Sequence, residues 1–80
     1  MQFGKRINAA RKRNGLTTQE LAEKCGVSRS YITLIERGQR LPGAKTLPRI
    51  APALDLKASV VLNWYLEDIR MKLQDNLMAE

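Results

Sequence analysis

Apolar residues recur along this chain at spacings of three and four, the period of amphipathic helices that share a core. Between residues 16 and 38 this pattern forms two short helical stretches on either side of Gly26. Their inward-facing positions are Leu21, Ala22, Cys25, Val27, Ile32 and Ile35. The pattern predicts two short helices joined by a tight turn.

Polar residues mark the ends of both helices. Thr17 followed by Glu20 fits a capping box, in which each side chain bonds to the other residue's backbone N–H. Ser28 is a suitable N-cap for the second helix. Gly26 and Gly38 can adopt the left-handed conformation that ends a helix. Two capped helices with a glycine turn constitute a helix-turn-helix motif.

The flanking sequence predicts one helix before the motif and one after it. The first covers residues 3–14. In the loop after the motif, Pro42 and Gly43 fit the central positions of a type II turn. A further helix should start at about Thr46, and Pro52 should keep it short, bent or partly 3₁₀, because proline removes a backbone donor.

The last segment has the pattern of one long helix over residues 58–78, without internal glycine or proline. It has two apolar stripes. The first stripe consists of Leu62, Leu66, Ile69, Leu73 and Leu77. The second stripe consists of Val61, Trp64, Met71 and Met78, and Asp68 and Asp75 interrupt this second stripe. One stripe can cover the protein's own core, which Leu56, Val61 and Leu62 would close. The other is then available to a second subunit. The alternative is a single packed face with a frayed end.

The predicted fold is all-α, with five helices in one compact domain. Residues 1–57 would form the helix-turn-helix core and residues 58–80 a dimerisation helix. We assign the dimer interface to the exposed apolar side chains of that helix, namely Trp64, Leu66, Ile69, Leu73 and Leu77.

The second motif helix has an outer face that combines basic and hydroxyl side chains and carries no acid. This face consists of Arg29, Ser30, Thr33, Leu34 and Arg37. Arginine can read guanine with two hydrogen bonds in the major groove, and short hydroxyls can reach base edges or phosphates. The alternative is an ordinary solvated helix face.

The run GLTTQELAEKCGVSRSYITLIERGQRLP, continued by TLPRIAPALDL, resembles the phage repressor and Cro-type helix-turn-helix domains, the XRE family. The resemblance covers about residues 3–62 and implies a lambda-repressor-like fold with a long C-terminal helix. The family usually has glutamine directly after the first motif cap, where this chain has Thr18 with Gln19 beside it.

The resemblance also implies roles for individual residues. In the family, the residues matching Arg29, Ser30, Thr33 and Leu34 face the base edges, so base contacts are expected from them and from Arg37, which lies on the same outer face. In the family, residues around Thr18 and in the loop after Gly38 hold phosphates, and contacts to the DNA backbone are expected from Thr18, Gln19, Tyr31, Arg40 and Lys45. Arg40 and Lys45 flank the predicted turn and could straddle phosphates, and the alternative is that they serve only solubility. A structural ion pair is expected between Arg11 and Glu36, and the alternative is two unrelated surface charges.

Charge is unevenly distributed along the chain, whose net charge is +6. Residues 1–57 hold 12 of the 14 Lys and Arg residues and 4 of the 8 Asp and Glu residues. The part that contains the motif is therefore strongly basic, while the last helix is slightly acidic. This asymmetry favours a polyanion such as double-stranded DNA as the partner of the first four helices.

Catalytic and membrane functions find little support in the composition. The chain has no histidine, so the commonest general base is missing. Cys25 is the only cysteine and lies at an inward position, which favours a small core residue over a nucleophile or metal ligand. We therefore expect no enzyme activity, cofactor or metal. No apolar run is long enough to span a membrane and no signal peptide is evident, so we expect a cytoplasmic protein.

These observations together favour a DNA-binding transcriptional regulator, more specifically a repressor that binds a palindromic operator as a homodimer. One alternative is the antitoxin of a toxin–antitoxin pair, whose C-terminal helix binds the toxin protein. Another is an adaptor that uses the same fold only for protein contacts.

Overall fold

The computed structural model describes residues 2–78 and folds them into five helices. These are α1 (Gln2–Arg13), α2 (Thr18–Cys25), α3 (Arg29–Glu36), α4 (Leu47–Ala53) and α5 (Ala58–Met78). No strand occurs within the described range. The predicted all-α fold and the bounds of the last helix are confirmed. The final two residues of the predicted 58–80 segment lie outside the described residues.

The helix ends of the motif have the predicted caps. The Thr17 hydroxyl accepts a hydrogen bond from the Glu20 N–H at 3.0 Å, and the Glu20 carboxylate accepts one from the Thr17 N–H at 2.8 Å. The bond from the Thr17 backbone is the main reason why the pKa of Glu20 lies below its ordinary value. Ser28 caps α3 by accepting from the Tyr31 N–H at 3.1 Å. Gly26 ends α2 in the left-handed conformation, with φ 68°.

The core is a single apolar cluster to which every helix contributes. Its buried members are Phe3, Ile7, Ala10, Leu21, Ala22, Cys25, Ile32, Ile35, Ile50, Ala51, Leu54 and Val61. Burial raises the pKa of the Cys25 thiol, as expected for a small core residue. The predicted core role of this cysteine is confirmed.

Gly4 allows α1 to lie directly against the end of α3. A Cβ atom at this position would overlap the Ile35 carbonyl oxygen and would lie 2.9 Å from the Glu36 carbonyl oxygen. Both oxygens belong to the backbone, so neither can move aside by a rotamer change. The sequence pattern gave no sign of this contact, because glycine carries no hydropathy signal.

We expect Gly4→Ala to lower the free energy of unfolding by about 1 to 3 kcal/mol, the usual cost of overpacking. In an unobstructed helix the same change stabilises by about 0.5 to 1 kcal/mol, so the expected sign is itself diagnostic. Gly43→Ala is the matched control, because a Cβ there would meet only the Tyr31 hydroxyl, at 3.9 Å. Urea unfolding of both variants measures the difference. Equal midpoints would mean that α1 and α3 do not approach this closely.

α5 covers the core with a different stripe from the one that leucine spacing suggests. Val61 is buried, whereas Leu62 is 46% exposed, so the prediction that Leu62 closes the core is wrong. Trp64 packs against the protein's own core. The guanidinium carbon of Arg6 lies over the Trp64 ring, 5.8 Å from the ring centroid. The predicted role of Trp64 in a dimer interface stays a prediction. No helix within residues 2–78 is both long and apolar enough to cross a bilayer.

Asp68 is the unexpected member of the inner stripe. It is 4% exposed, and its carboxylate accepts a hydrogen bond from the Phe3 N–H at 3.1 Å. The first N–H groups of a helix have no partner within the helix, and they form the positive end of its dipole. The carboxylate on α5 therefore caps the start of α1 and joins the first helix to the middle of the last one.

The loop before α4 differs from its prediction. The Thr46 and Leu47 N–H groups both donate to the Gly43 carbonyl oxygen, at 3.1 and 3.0 Å, so the turn begins at Gly43. Pro42 is buried, and Gly43 is not among the described residues with positive φ, as a type II turn would require. The predicted Pro42–Gly43 turn is wrong. α4 has only seven residues, which confirms that it is short.

Candidate nucleic-acid interface

α3 presents a polar face to solvent because its apolar residues lie on the opposite side. Ile32 and Ile35 are each only 1% exposed. The outward residues predicted to contact bases are all exposed except Thr33, which is half-buried; they are Arg29, Ser30, Thr33, Leu34 and Arg37. The Thr33 hydroxyl donates to the Arg29 carbonyl oxygen at 3.1 Å, within its own helix. The buried isoleucines therefore fix the orientation of α3, and the opposite face of the helix is open to solvent.

Four of the predicted DNA-binding residues come together around one concave notch. The notch has a volume of about 350 Å³ and lies where α1, α2 and α3 meet. Its lining consists of Asn8, Thr18, Arg29, Thr33, Glu36 and Arg37. Two guanidinium groups and the first residue of α2 thus border the same polar hollow. Positive side chains beside a helix N-terminus are a suitable environment for an anionic oxygen.

The acid in this notch is neutralised from within the protein. Glu36 and Arg11 form the predicted ion pair, with 2.7 Å between Arg11 Nε and Glu36 Oε2. Arg11 Nη2 donates to the other carboxylate oxygen at 3.2 Å, and Asn8 Nδ2 donates to that oxygen at 2.7 Å. Arg11 Nη1 donates to the Leu16 carbonyl oxygen at 2.8 Å. The network ties α1, α3 and the entry to α2 together, and within residues 2–78 neither Arg29 nor Arg37 forms an ion pair with an acid.

Tyr31 anchors the loop that follows α3. Its hydroxyl oxygen accepts a hydrogen bond from the Gly43 N–H at 3.0 Å, which is the main reason why the pKa of this phenol is lowered. The Arg40 guanidinium carbon lies 4.7 Å from the centroid of the Tyr31 ring, a cation–π contact. Tyr31 and Arg40, both predicted to contact the DNA backbone, are therefore adjacent.

The remaining residues predicted to contact the DNA backbone lie outside these two groups. Gln19 is exposed and its side-chain amide donates to Glu23 at 3.2 Å along α2, while Lys45 is exposed in the loop before α4. Sequence analysis missed two supporting residues. Asn8 helps to hold Glu36, and Arg49 donates to the Cys25 carbonyl oxygen at 3.3 Å, at the end of α2. Neither has a local signal, because both act on chain segments distant in sequence.

The chain matches a known family and several known proteins. A family model described as helix-turn-helix matches residues 7–61. The immunity repressor protein of Bacillus phage phi105 is 44% identical over 62 residues, which cover 78% of this chain and 43% of that protein. The HTH-type transcriptional regulator SinR of Bacillus subtilis is 39% identical over 62 residues, covering 76% of this chain and 56% of that protein. This chain thus spans about half the length of these two relatives.

Solved structures extend the similarity to three dimensions. SinR, described as the master regulator for biofilm formation, has a crystal structure in complex with DNA that superposes with a TM-score of 0.68. That match is 38% identical and covers 75% of this chain and 97% of that one. The restriction-modification controller protein C.AhdI of Aeromonas hydrophila gives a TM-score of 0.69 at 36% identity, covering 74% and 89% of the two chains.

Proposed function

Since the chain belongs to the phage repressor and Cro-type helix-turn-helix (XRE) family of DNA-binding transcriptional regulators, we propose that it represses transcription by binding a palindromic operator as a homodimer. The observation that carries this proposal is the exposed, acid-free face of α3. Its members differ in what they offer to a base pair. The arginines can donate two hydrogen bonds to guanine, and Leu34 can contact a thymine methyl group.

Backbone contacts would hold that face in the major groove. Thr18 would contact the DNA backbone from the start of α2, and Arg40 and Tyr31 would contact it from the loop side of α3. These groups flank the recognition face, as phosphate contacts must if they are to fix its orientation on the duplex. Gln19 and Lys45 would extend the same two sets of contacts.

A second copy of the chain would double the recognised sequence. One recognition helix reads only a few base pairs, and two-fold symmetry places two such helices about 34 to 36 Å apart on one side of the duplex. The apolar residues that α5 exposes would form the contact between subunits. Leu66, Leu73 and Leu77 are 51, 57 and 77% exposed, a strongly apolar surface to leave in water.

Selection of bound sites from random duplexes tests the proposal directly. We expect enrichment of an inverted repeat whose half-sites are centred about one helical turn apart. Fusion of the enriched site to a promoter and reporter should then give lower expression when the protein is present. No enrichment, together with no salt-dependent duplex binding, would favour the adaptor hypothesis. Higher reporter expression would mean activation instead of repression.

Arg29→Ala and Lys45→Ala remove one positive charge each but should have different effects. If Arg29 contacts a base, its loss should cost about 1 to 3 kcal/mol on the selected site and relax the preference at one base pair per half-site. Lys45, as a phosphate contact, should weaken binding to selected and random duplexes alike and lower the salt slope by about one. Fluorescence anisotropy at several salt concentrations measures both effects.

Lys57→Ala is the control for lost charge, because Lys57 is exposed just before α5 and is not among the residues predicted to contact DNA. It should leave the base preference unchanged. An equal loss on selected and random DNA for Arg29→Ala would remove Arg29 from base recognition.

A further inference from the structure

α5 exposes a leucine stripe on the side opposite its buried residues. Leu62, Leu66, Leu73 and Leu77 are all more than 45% exposed, and Ile69 is half-buried. At 3.6 residues per turn, all five fall within an arc of about 80°. Asp68 and Val61 face the core from the other side of the helix. The four leucines therefore form an exposed apolar surface, with the half-buried Ile69 at its centre.

The spacing of this stripe is nearly the same in both chain directions. Its midpoint lies between positions 69 and 70. Leu62 and Leu77 are equally far from that point, at about 11 Å along the helix axis, and Leu66 and Leu73 are each about 5 Å from it. A second α5 that runs in the opposite direction therefore meets leucine with leucine at each level.

We propose that two copies of the chain pair through α5 in antiparallel orientation, with Ile69 at the two-fold axis. In this register Leu66 packs against Leu73 of the partner subunit, and Leu62 packs against Leu77 of the partner subunit. The inference rests on the proposed homodimer and adds its direction and register, neither of which follows from dimerisation itself.

An apolar groove beside the stripe favours the antiparallel direction. The groove has a volume of about 410 Å³ and lies between α4 and the start of α5. It is lined by Leu47, Pro48, Ala51, Ala58, Val61 and Leu62, together with Ser59. Antiparallel pairing brings the C-terminal end of the partner helix, with its exposed leucine, to this groove. Parallel pairing would direct both C-terminal ends away from the two grooves and leave them uncovered.

The charges that flank the stripe are compatible with this arrangement. Glu67 and Arg70 lie on the same side of the stripe and are both exposed. Antiparallel packing brings like flanks of the two helices together, so Arg70, next to the midpoint, lies opposite Arg70 of the partner subunit. The Glu67 carboxylates, each paired with Arg6 of its own subunit at 3.0 Å, lie about 4 Å from the midpoint along the axis. The two arginines at the rim of the apolar contact are therefore flanked by two carboxylates. A small surface concavity lined by Asn63, Leu66, Glu67 and Arg70 marks this rim on each subunit.

Disulfide cross-linking distinguishes the two directions, because only a residue near the axis of an antiparallel pair can reach its own copy. Ile69→Cys should form a covalent dimer under mild oxidation. Leu66→Cys alone and Leu73→Cys alone should not, since each lies about 10 Å along the axis from its own copy, beyond the Cα separation of about 4.4 to 6.8 Å that a disulfide needs. A mixture of the Leu66→Cys and Leu73→Cys chains should cross-link. The unaltered chain is the control, because its one thiol, Cys25, is buried.

Sedimentation of the reduced variants shows whether each remains a dimer, and a denaturing gel after oxidation shows which ones are linked. Strong cross-linking of Leu66→Cys and Leu73→Cys with themselves would overturn the antiparallel register in favour of a parallel one. A dimer in sedimentation without any cross-link would place the contact on another surface and overturn the inference, while the proposed homodimer would stand. A monomer that still binds the selected operator would instead contradict the homodimer of the proposed function.

Discussion

Glu36→Ala is expected to lower the free energy of unfolding by about 3 to 5 kcal/mol, because it leaves the charge of Arg11 largely buried without its partner. The side chains of Arg11 and Glu36 are only 12% and 8% exposed, and the carboxylate accepts bonds from both Arg11 and Asn8. The loss should also loosen the end of α3, whose backbone lies against Gly4 of α1. Urea unfolding followed by circular dichroism measures the change.

The double variant Arg11→Ala/Glu36→Ala should lose less stability than the sum of the two single variants, because it removes both charges together. The ion pair between Arg6 and Glu67 provides the matched control. Its N–O distance is 3.0 Å, but its side chains are 38% and 47% exposed, so Glu67→Ala should cost no more than about 1 kcal/mol. Strict additivity of the Arg11 and Glu36 variants would mean that the two side chains do not interact. A folded Glu36→Ala protein that cannot bind DNA would give Glu36 a direct role at the interface.

Local signals explain why much of this fold could be predicted from the sequence. The capping box of Thr17 and Glu20, the Ser28 cap and the left-handed Gly26 each depend on residues within four positions of one another. The bounds of α5 follow in the same way from a long apolar period without glycine or proline. The outward face of α3 could be assigned because helical periodicity fixes which side chains oppose Ile32 and Ile35.

The features that could not be predicted depend on contacts between distant segments. Asp68 interrupts an apolar stripe in the sequence. Its burial depends on the free N–H groups at the start of α1, which only the folded chain brings next to it. Leu62 and Val61 are equally apolar neighbours, so the choice between them is set by the packing angle of α5. Gly4 and Tyr31 are similar cases, because one makes room for the backbone of α3 and the other holds the N–H of Gly43.

The double substitution Ile69→Glu/Leu73→Glu should convert the protein to a folded monomer and weaken operator binding by about 10²- to 10⁴-fold, the range that linking two binding modules typically contributes. Ile69 is half-buried and Leu73 is 57% exposed, so the change places carboxylates on the apolar contact with modest effect on the core. In the antiparallel register each new carboxylate near the axis also faces its own copy, which adds like-charge repulsion. Sedimentation gives the oligomeric state, and anisotropy with the selected duplex gives the affinity.

Gln74→Glu/Met78→Glu is the matched control, because it has the same four-residue spacing on α5 and introduces the same number of acids. Both residues are exposed and lie to one side of the leucine stripe. This variant should remain dimeric and lose far less affinity, so a general effect of negative charge on DNA binding would appear in both variants. Two results would exclude α5 as the dimer contact. One is an unaltered chain that sediments as a monomer at tens of micromolar, and the other is an Ile69→Glu/Leu73→Glu variant that remains dimeric. In that case the exposed leucines would be left for a different protein partner, as the antitoxin and adaptor hypotheses require.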